Sequence, residues 1–253
     1  MTVHKLRKFT LLTAMLLFPV TIYYMSPYLI FQAAFQSAVN GSFILFCLMT
    51  VLSVPFGRIF CAFLCPAGAL QECAAQVTEK PAKRRKLYVL KYVIWAVWLS
   101  AVTVCYVING IDSIDPFFMT EHGISVSRIQ DYIIYYGIII LVVIPAMTGG
   151  KRAFCHYFCW MAPFMAAGTV LRRKIGLRGL AVAVKNDGCV SCGKCSKNCP
   201  MSIDVMEEIG HGSVKSLECI QCGECIEGCP KKVLGYGMIK AERSTERKDK
   251  NGK

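Results

Sequence analysis

Histidine is scarce in this chain, and so is negative charge. Four histidines are present, His4, His122, His156 and His211. No two of them fall on apolar segments that would face each other across a bilayer, which excludes a bis-histidine haem. No Cys-x-x-Cys-His run exists for covalent haem attachment either, so no haem is expected. Asp and Glu number 16 against 29 Lys and Arg, for a formal net charge of +13. Charge of either sign is missing altogether from Phe9 to Gly57, a stretch of 49 residues.

A helical span needs about 20 residues. Two spans with a turn near residues 36–41 are therefore predicted in the first uncharged stretch, and two more at Tyr92–Ile111 and Tyr132–Gly150. The first stretch is too long for the apolar region of a cleaved leader, which runs to about 15 residues. With the N-terminus inside, Arg128 is the one cation of 29 in an outer loop. Lys5, Arg7 and Lys8, Arg58, the run KPAKRRK ending at Lys86, Lys151 and Arg152 all fall on the inner side, as the positive-inside rule requires. The expected location is a bacterial or archaeal cytoplasmic membrane, crossed several times, with both termini in the cytoplasm. Anchoring to a lipid bilayer accounts for the positive charge, and no nucleic-acid-binding motif is present.

What the chain has in abundance is cysteine, at 15 residues. A cytosolic domain keeps its thiols reduced and uses them for metal or redox chemistry. Cys189–Pro200 (CVSCGKCSKNCP) and Cys219–Pro230 (CIQCGECIEGCP) both read C-x2-C-x2-C-x3-C-P, the bacterial ferredoxin run in which the fourth Cys serves the other cluster. Three close thiolates on a tight loop hold one face of a cubane, and a remote fourth closes it. Two 4Fe-4S clusters are thus expected, one on Cys189, Cys192, Cys195 and Cys229, the other on Cys219, Cys222, Cys225 and Cys199. Gly193 and Gly223 permit the turns and each Pro redirects the chain. Structural zinc normally takes four ligands in two pairs, which this pattern does not follow.

A second cysteine pattern lies outside the ferredoxin runs. Gly57–Leu70 (GRIFCAFLCPAGAL) aligns with Lys151–Phe164 (KRAFCHYFCWMAPF), each after an outward-to-inward span. The alignment implies a duplicated helical hairpin. Within it Cys61 and Cys65, and Cys155 and Cys159, stand at i and i+4, on one helix face. Packed together, the four thiols have several possible uses: a further metal or cluster, redox disulfides, contacts to the ferredoxin module, or simple burial as small apolar groups. Cys47, Cys73 and Cys105 read as core packing. With no haem to carry electrons across the bilayer, a quinone site should lie at the inner boundary near these elements. Quinol oxidation needs a proton acceptor, for which Glu72 and His156 are the nearby candidates.

The fold expected is an α-helical membrane bundle of four transmembrane helices in two repeated hairpins (residues 1–180). A small α+β ferredoxin-like domain with two 4Fe-4S clusters (181–239) and a charged, disordered tail (240–253) complete it. Four spans, two Cys-x3-Cys elements and the double ferredoxin run together resemble the NapH-like membrane ferredoxin subunits and the membrane domains of NosR-like regulators. The resemblance implies an electron-transfer subunit linking quinol to a partner reductase. This sequence departs from the family's Cys-x3-Cys-Pro in its second element, where Pro163 stands three places later than Pro66 does after its cysteine. Two other functions fit the same residues: a metal-handling accessory that reduces copper during cofactor or oxidase assembly, and a membrane-anchored ferredoxin.

Overall fold

The computed structural model describes residues 3–77, 80–82 and 87–240. Residues 83–86 of the basic run, and residues 241–253 of the tail expected to be disordered, lie outside the described residues.

Proline divides the first apolar stretch. Helix α1 (Val3–Leu16) stops before the four-residue α2 (Phe18–Thr21), which carries Pro19 in its first turn, and Pro27 opens α3 (Pro27–Phe35) after a 3-10 turn at Tyr23–Met25. Each of these prolines stands in the first turn of a short helix, where its missing N–H costs no helical hydrogen bond. The predicted turn holds a short strand, β1 (Ala38–Asn40), and Asn40 caps α4 (Gly41–Phe56) by accepting from the Phe43 amide. The chain continues through α5 (Ile59–Phe63), α6 (Pro66–Ala75), α7 (Tyr88–Asn109), β2 (Ser113–Asp115) and α8 (Ile129–Gly149).

These lengths support two of the four expected transmembrane helices. Helices α7 and α8, with 22 and 21 residues, are long and apolar enough to cross a membrane. Helix α4 has 16 residues and rises about 24 Å, short of a hydrocarbon core of about 30 Å. The segment before it is helical only in pieces. Exposed aliphatic side chains such as Val97, Val107, Ile133 and Ile140 line the outer faces of α7 and α8, as contact with lipid would require.

The duplicated hairpin is visible element by element. The α4–α5–α6 succession is matched by α8, α9 (Ala153–Tyr157) and α10 (Ala162–Ile175). Pro55 and Pro145 sit inside the long helices, Gly57 and Gly150 end them at positive φ, and each Cys-x3-Cys begins in a five-residue helix. The displaced Pro163 does what Pro66 does, since both stand in the first turn of the next helix, with the second copy inserting extra residues before that turn. The copies interleave. Helix α4 lies on α10, and α6 on α8 and α1. Gly168 makes the first contact possible, because a Cβ there would fall 1.9 Å from the Ser53 hydroxyl and 2.6 Å from the Thr50 carbonyl.

The cysteine module closes with two antiparallel strands, β3 (Arg178–Val184) and β4 (Leu234–Lys240), in register from Arg178 against Lys240 to Val184 against Leu234. Between them lie three one-turn helices, α11 (Lys194–Lys197), α12 (Val205–Ile209) and α13 (Glu224–Glu227). One hydrophobic core joins both halves, running from Phe46, Cys61 and Phe154 to Val182, Met201 and Ile220.

Candidate functional site

Each ferredoxin run folds into a loop that wraps an open space. Gly193 (φ +70°) and Gly223 (φ +81°) precede α11 and α13 in the left-handed region that glycine enters without steric cost. The chain thereby brings the first three thiols of each run to one side. Two cavities result. One, of about 390 Å³ and partly open to solvent, is lined by Cys189, Cys192, Cys195 and Cys229 together with apolar groups such as Met206 and Ile209. The other, of about 340 Å³, is lined by Cys219, Cys222, Cys225 and Cys199 together with Val182, Met201 and Ile220. Each cavity receives three thiols from one run and one from the other, the crossed pattern read from the spacing. Four thiols lining one space match the donor set of a 4Fe-4S group. Such a group supplies reversible one-electron chemistry when bound.

The two cavities differ in burial. Cys189 and Cys192 are exposed, whereas Cys199, Cys222 and Cys225 are buried. Burial pushes the Cys219 thiol up to about 12 and the Cys222 thiol up to about 11. Both therefore hold their protons at neutral pH until ligation displaces them.

The Cys-x3-Cys elements also meet. Cys61, Cys65, Cys155 and Cys159 are all buried, and neighbouring thiols help to raise the proton affinity of Cys61, Cys65 and Cys159. Burial is the larger cause, pushing Cys159 up to about 12. Cross-links between the repeats hold them in place. Gln71, on α6, donates to the Cys155 thiol at 3.0 Å and accepts from the Cys155 amide at 3.3 Å. Arg152 donates to the Cys61 carbonyl at 3.1 Å and pairs with Glu72 at 2.5 Å. The Met165 sulfur lies 3.9 Å from the Cys61 thiol. Among the described residues no three His, Cys, Asp or Glu side chains converge on a point that would hold a single metal ion. A cubane keeps its thiolates farther apart than the ligands of one ion.

A buried ionic network separates this thiol group from the second cavity. Glu218, immediately before Cys219, pairs with Arg58 at 3.1 Å and Lys91 at 2.6 Å, and lies 3.6 Å from His156. Burial opposes ionisation of Glu218, but Arg58 and Lys91 outweigh it and hold the carboxyl below its ordinary range. Arg58 also donates to the Leu217 carbonyl at 3.1 Å. On the opposite flank Arg7 pairs with Glu72 and, at 2.6 Å, with Glu224 of α13. Gly57 allows the loop to sit this close: its φ is +62° and a Cβ there would fall 2.5 Å from the Gln221 side chain.

The two suggested proton acceptors are both part of this framework. Glu72 is engaged by two arginines. His156 is fully buried and stacks on Tyr88 with ring centroids 4.6 Å apart. Burial lowers its pKa to about 4, so it is a poor proton acceptor at neutral pH. Cys47 and Cys73 are corrected from core packing, since both are exposed. Sequence reasoning missed Gln71, Lys91 and Glu218 as site residues and took Arg7 and Arg58 for juxtamembrane charge. Two signals pointed to the network: the arginine repeated three places before each Cys-x3-Cys, and a carboxylate before Cys219 where the first run has Gly188.

These features define an iron–sulfur electron-transfer protein built from 4Fe-4S ferredoxin-type domains. The family model described as a 4Fe-4S dicluster domain matches residues 181–230, and one described as a 4Fe-4S binding domain matches twice, at 41–87 and 131–178, once per repeat. The chain is similar to the putative electron transport protein YccM of Escherichia coli, at 24% identity over 61% of this chain and 44% of that protein. It is also similar to the methylamine utilization ferredoxin-type protein MauN of Paracoccus denitrificans, at 26% identity over 69% of this chain and 60% of that protein. A protein of Methanocaldococcus jannaschii is 28% identical over 64% of this chain and 66% of its own length. The chain thus spans less than two thirds of each of these relatives. No solved structure matches it.

Proposed function

We propose that the chain is a NapH-like membrane subunit that passes electrons between the quinone pool and a redox partner protein through two 4Fe-4S clusters. One is held by Cys189, Cys192, Cys195 and Cys229, the other by Cys219, Cys222, Cys225 and Cys199. The observation that carries this reading is the pair of apolar cavities, each lined by one of those thiol sets. The quinone connection is supported by the position of the buried thiol group at the ends of α4 and α8, one ionic layer from the second cavity. Location in the cytoplasmic membrane, crossed several times with the clusters on the cytoplasmic side, is supported by the distribution of Lys and Arg. The contact of Arg7 with Glu224 is a further support for the N-terminal helix and the ferredoxin loop lying on one side.

A bare anchor would not need ion pairs from α1, α7 and the first repeat to seat the module.

The test starts with the full chain in lipid. Iron and sulfide content and the EPR signal of the dithionite-reduced protein count the clusters. Absorbance is then followed after excess reductant is removed and a menaquinone analogue is added. Rapid reoxidation that is lost in a C61S/C65S variant with full cluster content is the expected result. Clusters that stay reduced would remove the quinone link.

A further inference from the structure

Water and protein share the two cysteine sites unequally. The first cavity opens to solvent beside the exposed Cys189 and Cys192, and its lining lysines, Lys194 and Lys231, are exposed too. Solvent screens fixed charge there and hydrates an added one. The second cavity lies against the membrane half, with Cys199, Cys222 and Cys225 buried. An electron placed in it meets little water, so fixed charge in the protein weighs more in its energy.

That fixed charge is positive. Among the described residues five cationic side chains are buried, Arg7, Arg58, Lys91, Arg152 and Arg172, against a single carboxylate, Glu218. Arg58 donates to the Leu217 carbonyl at 3.1 Å and, with Lys91, pairs with Glu218, the residue before Cys219. Arg7 pairs at 2.6 Å with Glu224, the residue before Cys225. Arg172 donates at 3.4 Å to the Leu180 carbonyl, which also accepts from Gln221, the residue before Cys222. The other carboxylates of the network, Glu72 and Glu224, are 24% exposed, whereas Arg7 and Arg152 are 1% exposed. Water therefore screens the negative partners more than the positive ones. The thiols register the balance. Burial raises the proton affinity of Cys199, Cys219 and Cys222, and positive charge pulls it back, from Arg58 at Cys219, from Arg7 and Arg152 at Cys222 and from Arg152 at Cys199. A negative charge gained by losing a proton and one gained by taking an electron feel the same field.

We propose that Arg7, Arg58 and Arg152 are positioning residues for the electron: their buried charge raises the reduction potential of the iron–sulfur group in the second cavity, with little effect on the first. The electron is thereby held on the side that meets the membrane half, beside the buried thiol group. The inference rests on the iron–sulfur reading and adds which residues set the potential. Reduction adds one electron to the group, and no bond forms or breaks.

The test is a potential and not an activity. The full chain in lipid is titrated anaerobically with dithionite through redox mediators, and EPR follows both reduced groups. A water-soluble gadolinium chelate broadens the signal of the open first site and so tells the two apart. At a fixed ambient potential, R58Q should lower the reduced-to-oxidised ratio of the second group by about tenfold, which is 59 mV for one electron. R58K keeps the charge and should stay within about twofold of wild type. E224Q removes negative charge while Arg7 stays, and should shift the second group the opposite way. The first group should move by no more than about twofold in any of them. An unchanged second group in R58Q would overturn the inference. So would R58K falling as far as R58Q, which would make shape and not charge the cause, or both groups shifting equally. If R58Q loses the second group altogether, E224Q decides, and a ratio that fails to rise there overturns the inference. Wild-type protein that takes up no iron or sulfide would sink the underlying iron–sulfur reading instead.

Discussion

Arg58 and Arg152 stand three residues ahead of the first cysteine in each repeat, both are buried, and they reach for different things. Arg152 turns inward to Glu72 and the Cys61 carbonyl of the other copy. Arg58 turns outward to Glu218 and the Leu217 carbonyl of the ferredoxin loop. A duplicated element has therefore divided its work: one guanidinium locks the two copies together and the other seats the cysteine module on them. The backbone explains part of the difference. Arg152 has left-handed φ and ψ, 50° and 36°, whereas Arg58 lies at φ −95°. The same side chain thus leaves the two turns in different directions.

The strongest way to break the comparison is Arg152→Leu. Its loss removes the bond to the Cys61 carbonyl and one of the two arginines on Glu72, which keeps Arg7, at a cost of about 3 kcal/mol. Thermal unfolding in detergent should show the whole membrane half destabilised, with partial recovery in the double variant R152L/E72L. Arg58→Leu should act more locally, because its partners Glu218 and the Leu217 carbonyl lie on the ferredoxin loop. A cost of about 2 kcal/mol is expected for the seating contact. Protease cleavage between α10 and β3 should accelerate with little change in the melting of the helices, and Glu218→Gln should reproduce the effect. If both variants lowered the global melting temperature equally, the division of labour would be wrong.

The smallest effect comes from the glycines that end the two long helices. Alanine at either position meets positive φ and a close neighbour, at a cost of about 1 to 3 kcal/mol. At Gly57 the neighbour is the Gln221 side chain at 2.5 Å, whereas at Gly150 it is the Lys80 backbone carbonyl at 2.6 Å. A second substitution, Gln221→Ala, should therefore relieve part of the loss in Gly57→Ala, measured by unfolding, and none of the loss in Gly150→Ala.

The cysteine module was legible because its signal is local: ligand spacing, a glycine before each short helix and a proline after each run are all contiguous in sequence. The membrane half was legible in its repeat and less so in its spans. Absence of charge measures compatibility with lipid, while helix continuity depends on backbone donors, and Pro19 and Pro27 interrupt those without changing the hydropathy. The ionic network was the least visible part. Arg7, Arg58 and Arg152 satisfy the positive-inside rule whether or not they are paired, and their partners lie as far as 217 positions away. Gln71 carries no pattern at all, since its role depends on helix α6 lying against the Cys155 turn.

The reach of Arg7 bears on how the protein is made. Its helix leaves the ribosome well before one of its two carboxylate partners, Glu224 of α13, which is 217 residues later. Closing so distant a contact is slow and entropically costly, and it requires the second cysteine loop to have taken its shape. Docking of the second cysteine loop is thus the step that completes the ion pairs of the N-terminal helix.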